Sequence, residues 1–133
     1  MSTFTQFSAE LDLRFDVQSA NWQVLTPFTY AVGSLDSGII VVVEKGFMTD
    51  GASVPRPFWN IIPPWGQYGQ AAVVHDRMYT DLYVVHNGVR ETITHKRADE
   101  IFLEAMGVLG VPAWKRYSMF YALRLFGTLI GRK

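Results

Sequence analysis

The chain has no cysteine. This excludes a disulfide framework, a thiolate zinc site and a cysteine nucleophile together, so any chemistry has to come from His, carboxylate and hydroxyl side chains. Net charge is missing too, because twelve Lys and Arg cancel twelve Asp and Glu. Nothing in the whole-molecule field therefore points to nucleic acid as a partner, and recognition has to be local. No apolar run has the length and uniformity of a membrane span. Residues Met1 to Phe7 lack a basic segment followed by an apolar one, so no signal peptide is expected and synthesis is expected in the cytoplasm.

Apolar material is abundant. With 133 residues, 49% hydrophobic and 14% aromatic, the chain is expected to form a single domain, 1–133, with a true core. Residues 1–48 read mainly as strands, 49–70 as a loop rich in Gly, Pro and aromatics, and 71–133 as helical.

In the first part, Glu10 to Val17 alternates apolar and polar at period two, as a half-buried strand does. Trp22 to Thr26 follows, Pro27 marks an edge or a bend, and Phe28 to Val32 continues the sheet. Ile39-Ile40-Val41-Val42-Val43 is β-branched throughout and reads as a central strand covered on both faces. These strands predict a small antiparallel sheet with nothing in it that demands chemistry.

Thr49-Asp50-Gly51-Ala52-Ser53-Val54-Pro55 reads either as a rigid sheet-to-helix connector or as a loop presenting Asp50 as a cation ligand. Ser53 lacks the nucleophile-elbow pattern. Trp59 and Trp65 read as core or rim aromatics.

Gly69 to Leu82 has the small and apolar residues of a helix. On it His75 and Tyr79 are i and i+4 and share a face, while Asp76 points roughly 100° away from His75. A His that follows Val73 and Val74 is either a hydrogen-bonded core group or a base. Leu82 to Thr94, with a turn at His86-Asn87-Gly88, fits a short hairpin or an extended loop, and His86 and His95 read as exposed. Thr94 suits the N-cap of a second helix whose stripe is Ala98, Ile101, Phe102, Ala105, Met106 and Leu109. Asp99 lies on the shoulder of that stripe. If buried it needs a partner, for which His75, Tyr79 and Arg97 are candidates. Gly107 and Gly110 end this helix, and Pro112 starts a third at a first-turn position. The third, Ala113 to Ile130, is apolar on nearly all sides and suits a core helix, a partner surface or an interfacial membrane contact.

His75-Asp76-x-x-Tyr79, followed 24 positions after His75 by Asp99 in Ala98-Asp99-x-x-Phe102, resembles the active-site helices of phospholipase A2. The disulfide-free parvoviral capsid form is the nearest in style. Gly46 to Pro55, the two motifs and Gly107 to Gly127 together resemble the phage and bacterial family catalogued as domain of unknown function 1353. These resemblances imply an α+β fold, a small N-terminal antiparallel sheet followed by three helices, two of them packed antiparallel in the phospholipase A2 manner. They imply a phage-encoded hydrolase of ester bonds, lipids included, made in the host cytoplasm. In it His75 would be the base, Asp99 its orienter and Tyr79 a donor to Asp99, with Asp76 and Asp50 as ligands of Ca2+. The competing expectation is a phage virion or assembly protein that uses the same residues as a buried polar network and has other virion proteins as its partners.

Overall fold

The computed structural model describes residues 6–49 and 69–131. Among these residues there are two antiparallel sheets and three helices. One sheet has the order β1 (Leu13–Asp16), β2 (Asn21–Val24), β5 (Met48–Thr49). The other has the order β3 (Phe28–Ala31), β4 (Ile39–Val43), β6 (Tyr83–His86), β7 (Val89–Thr92). The helices are α1 (Gly69–Asp81), α2 (His95–Val108) and α3 (Ala113–Leu129).

The sheet structure is more extensive than a small N-terminal sheet. Pro27 does not let the strand before it run on into the same ladder. With no N–H to donate, it falls where the chain leaves one sheet for the other, so β2 and β3 never pair. β4 is central, paired to β3 on one side and β6 on the other. Its faces differ: Val41 and Val43 are buried, whereas Ile40 and Val42 are half-buried, so the expected cover on both faces is incomplete.

The span 71–133 is not all helical, because β6 and β7 form a hairpin between α1 and α2. Asn87 and Gly88 both take positive φ, 51° and 86°, which gives the tight two-residue turn that matches strand twist. The hairpin is stitched to the start of β4 by the Asn87 N–H, which donates to the Gly38 carbonyl at 2.8 Å. A side chain at Gly38, itself at φ 76°, would meet the Asn87 amide at 2.1 Å, so only glycine allows this approach. The sheet thus recruits two strands from the C-terminal half of the chain.

Thr94 caps α2 as expected, its hydroxyl accepting from the Arg97 N–H at 3.0 Å. Ala98, Ile101, Phe102, Ala105 and Met106 are all buried. Pro112 stands at the N-cap of α3, one position before the expected place. Ring contacts set the direction of the helices. Tyr79 meets His95 and His75 meets Phe102, so α1 and α2 run antiparallel. Arg116 packs by Gly107 and Arg124 reaches Asp99, so α2 and α3 do as well, with α2 in the middle.

Two polar contacts that the sequence pattern does not announce lock helices to sheet. On α1, Arg77 is 8% exposed and donates to Glu44 at 2.8 Å, Asp81 at 3.1 Å and the Tyr83 hydroxyl at 3.1 Å. On α2, Glu104 accepts from the Tyr30 hydroxyl, from the Gly33 N–H at 2.9 Å and from Gln6 at 3.2 Å. Burial, then the adjacent Glu104 carboxylate, push the Tyr30 hydroxyl well above its usual range, so it stays a donor. Tyr30→Phe is expected to cost about 1–2 kcal/mol, because Glu104 loses its buried donor. A lowered urea midpoint with an unchanged slope would register this; an unchanged midpoint would mean that the bond does not hold α2 to β3.

Candidate functional site

Three helices converge on one carboxylate. Asp99 is 0% exposed, and a charge so placed requires partners for both oxygens. Oδ1 faces His75 Nε2 at 2.7 Å and accepts from the Tyr79 hydroxyl at 2.5 Å. Oδ2 accepts from Arg124 Nη1 at 2.8 Å. The i and i+4 spacing on α1 puts His75 and Tyr79 on one face, with ring centroids 4.2 Å apart. Phe102, one turn beyond Asp99 on α2, also packs by the His75 ring, with centroids 4.7 Å apart.

Burial by itself would raise the Asp99 carboxyl. The hydrogen bond and attraction of His75, then the bonds from Tyr79 and Arg124, outweigh it and hold the group below its ordinary 3.8. Asp99 is therefore an anion that can only accept. In the neutral His75 ring, Nε2 must then carry the proton, which leaves the lone pair on Nδ1. Among the described residues Nδ1 has no hydrogen-bond partner, and His75 itself is 2% exposed. The arrangement is a ring held in one tautomer by a buried anion, with its second nitrogen available as an acceptor.

His75, Tyr79 and Asp99 are thus brought together. Arg97, a candidate partner for Asp99, lies instead 3.6 Å from Glu100 on the exposed side of α2. Arg124 takes that place. Its signal in the sequence was an arginine flanked by Leu123 and Leu125 in the last helix, a charge that needs an acid if buried. His95 is half-buried rather than exposed and lies edge-on to the Tyr79 ring at 4.8 Å. His86 pairs with Glu91 at 2.8 Å at the hairpin surface, away from the cluster.

Asp76 is half-buried on α1, next in sequence to His75. Asp50, Ser53, Trp59 and Trp65 lie outside the described residues. Among the described residues no three His, Asp or Glu side chains gather as a metal centre. Calcium takes six to eight oxygens, so Asp76 and its described surroundings do not complete such a site.

The fold and cluster define a mixed α+β protein with a buried His–Asp–Tyr–Arg network at the junction of its helices. The chain belongs to the family described as protein of unknown function DUF1353, which it matches over residues 22–123. That span takes in His75, Asp76, Tyr79 and Asp99 and stops one residue short of Arg124. The chain is also similar to an uncharacterized protein, y4jT, of Sinorhizobium fredii, with 35% identity over 94 residues. The matched stretch covers 68% of this chain and 25% of that protein, so the chain corresponds to about a quarter of its relative. No solved structure matches the chain significantly.

The depressed Asp99 carboxyl has a consequence for stability. Its folded value lies below its unfolded one, so its contribution is full above pH 3.8 and is lost as pH falls through the folded value. Asp99→Asn is expected to be less stable by roughly 3–5 kcal/mol at neutral pH, where Arg124 loses its anion. The gap to the wild type should narrow on acidification below pH 3.8, as read from urea midpoints across pH. A gap that does not change with pH would show that Asp99 is not held as an anion.

Proposed function

We propose that this protein is a phage-encoded, His/Asp-dependent hydrolase of ester bonds, lipid esters included, working in the phospholipase A2 manner. The observation that carries the reading is the 2.7 Å contact of His75 Nε2 with the buried Asp99 anion, which leaves the Nδ1 lone pair for a water proton. Water oxygen forms its bond to the ester carbonyl carbon while His75 Nδ1 takes the proton. The carbon–oxygen bond to the alcohol then breaks, and the same proton passes from His75 to the leaving oxygen. Asp99 stabilises the imidazolium in between. Tyr79 and Arg124 fix the Asp99 carboxylate.

The reading assigns Asp76 and Asp50 to Ca2+, whose chemistry when bound is to stabilise an oxyanion. Since the described residues do not complete that site, the steps above are carried by the side chains alone.

One observation favours a second reading. His75 and Asp99 are 2% and 0% exposed, as expected of a buried polar network that fixes helix packing. In that case the protein is a virion or assembly component, and other phage proteins are its partners.

Ester release from phospholipid and from a soluble ester, measured on the wild type and His75→Ala, separates the two. The hydrolase reading expects activity that falls roughly 100-fold to 10,000-fold in the folded variant, and about tenfold in Tyr79→Phe. The network reading expects no release from the wild type and a loss of about 1–3 kcal/mol in His75→Ala. A calorimetric calcium titration checks the cation assignment: saturable binding should vanish in Asp76→Asn, and a flat wild-type titration would remove calcium from the reading.

A further inference from the structure

The pairing that brings His75 to Asp99 has a second rung. On α1, Tyr79 stands one turn after His75; on α2, His95 stands one turn before Asp99. At i and i+4, each pair shares a face of its own helix. Because α1 and α2 run antiparallel, the faces that set His75 against Asp99 also set Tyr79 against His95. The ring centroids of this outer rung are 4.8 Å apart and the planes meet at 83°. Local chemistry does not ask for a ring at the start of α2. Thr94 supplies the cap, the first turn holds no acid, and a base there gains nothing from the helix dipole. Tertiary structure supplies a reason in the contact with Tyr79.

Tyr79 needs that contact more than its neighbours do. His75 and Asp99 are 2% and 0% exposed, enclosed too closely to swing, whereas Tyr79 is half-buried. Its hydroxyl bond to Asp99 Oδ1, at 2.5 Å, fixes only the tip of the side chain. The ring plane is set by packing, with His75 from its own helix, centroids 4.2 Å apart at 44°, and with His95 from the facing helix. An edge-on aromatic pair is directional as well as apolar, so it favours one ring orientation over the others.

We propose that His95 is a positioning residue, which holds the Tyr79 ring where its hydroxyl meets Asp99 and so acts on His75 through Tyr79 and Asp99. Its effect on ester hydrolysis rests on the hydrolase reading; its effect on the bond between His75 and Asp99 does not.

Two readouts test this. One is the rate of release from a soluble p-nitrophenyl ester. The other is the proton resonance of His75 Nε2–H, whose exchange with water is slowed by burial of the ring. His95→Ala is expected to lower kcat by about fivefold with KM unchanged, and to move the resonance toward its position in Tyr79→Phe. In a Tyr79→Phe background the same substitution is expected to do neither, because the hydroxyl it acts through is gone. His95→Phe keeps an edge-on ring without an imidazole and is expected to restore both readouts. A role confined to stability would move urea midpoints and neither readout. His95→Gln takes the place of the alanine variant if that variant does not fold. Effects of His95→Ala and Tyr79→Phe that simply add, or a resonance that His95→Ala leaves in place, would overturn the proposal. A resonance that responds through Tyr79 in a protein releasing no ester keeps His95 in this role and removes the hydrolase reading. Ester release whose rate His95→Ala leaves unchanged, with the resonance unmoved, does the reverse.

Discussion

The fold depends on one constraint, a carboxylate with no access to water. Asp99 at 0% exposure has to be compensated within the protein, and the cost of leaving it unpaired is severe enough to dictate where its neighbours go. Two donors come from α1 and one from α3. None of the three helices can shift along its neighbour without breaking one of these bonds. Apolar packing brings α1, α2 and α3 together, but the buried anion fixes their register, since hydrophobic contact alone is indifferent to a slip of one turn.

Glu104 does the complementary task on another face of α2. Its bonds from Tyr30, Gly33 and Gln6 tie the middle helix to the end of β3, and Arg77 ties α1 to the strands beside it. The helices are thus held to each other through Asp99 and to the sheet through Glu104 and Arg77. Among the described residues α3 joins the body through one buried face and through two arginines, Arg116 beside Gly107 and Arg124 on Asp99.

Much of this was legible in the residues. The β-branched run of β4, the stripe of α2 with its Thr94 cap, and the Asn87-Gly88 turn follow from local preferences that tertiary packing had no reason to oppose. So did the meeting of His75, Tyr79 and Asp99, because spacing on one helix and a buried acid on the next leave few other arrangements. Arg124 was not legible as a partner. Arg97, two residues from Asp99, looked nearer, yet at that spacing a helix turns the two side chains far apart. A residue 25 positions away on an antiparallel neighbour reaches the carboxylate instead.

Local chemistry in the sequence determined which segments became strands and helices and which side chains had to be paired, because propensity and the cost of a buried charge act residue by residue. Only the tertiary structure decided how the strands were shared out between two sheets, that the β6–β7 hairpin completed the larger one, and that α3 furnished the second half of the Asp99 pairing. Those outcomes rest on contacts between segments far apart in the chain, where sequence spacing carries no information about which of several chemically equivalent partners packing will bring within reach.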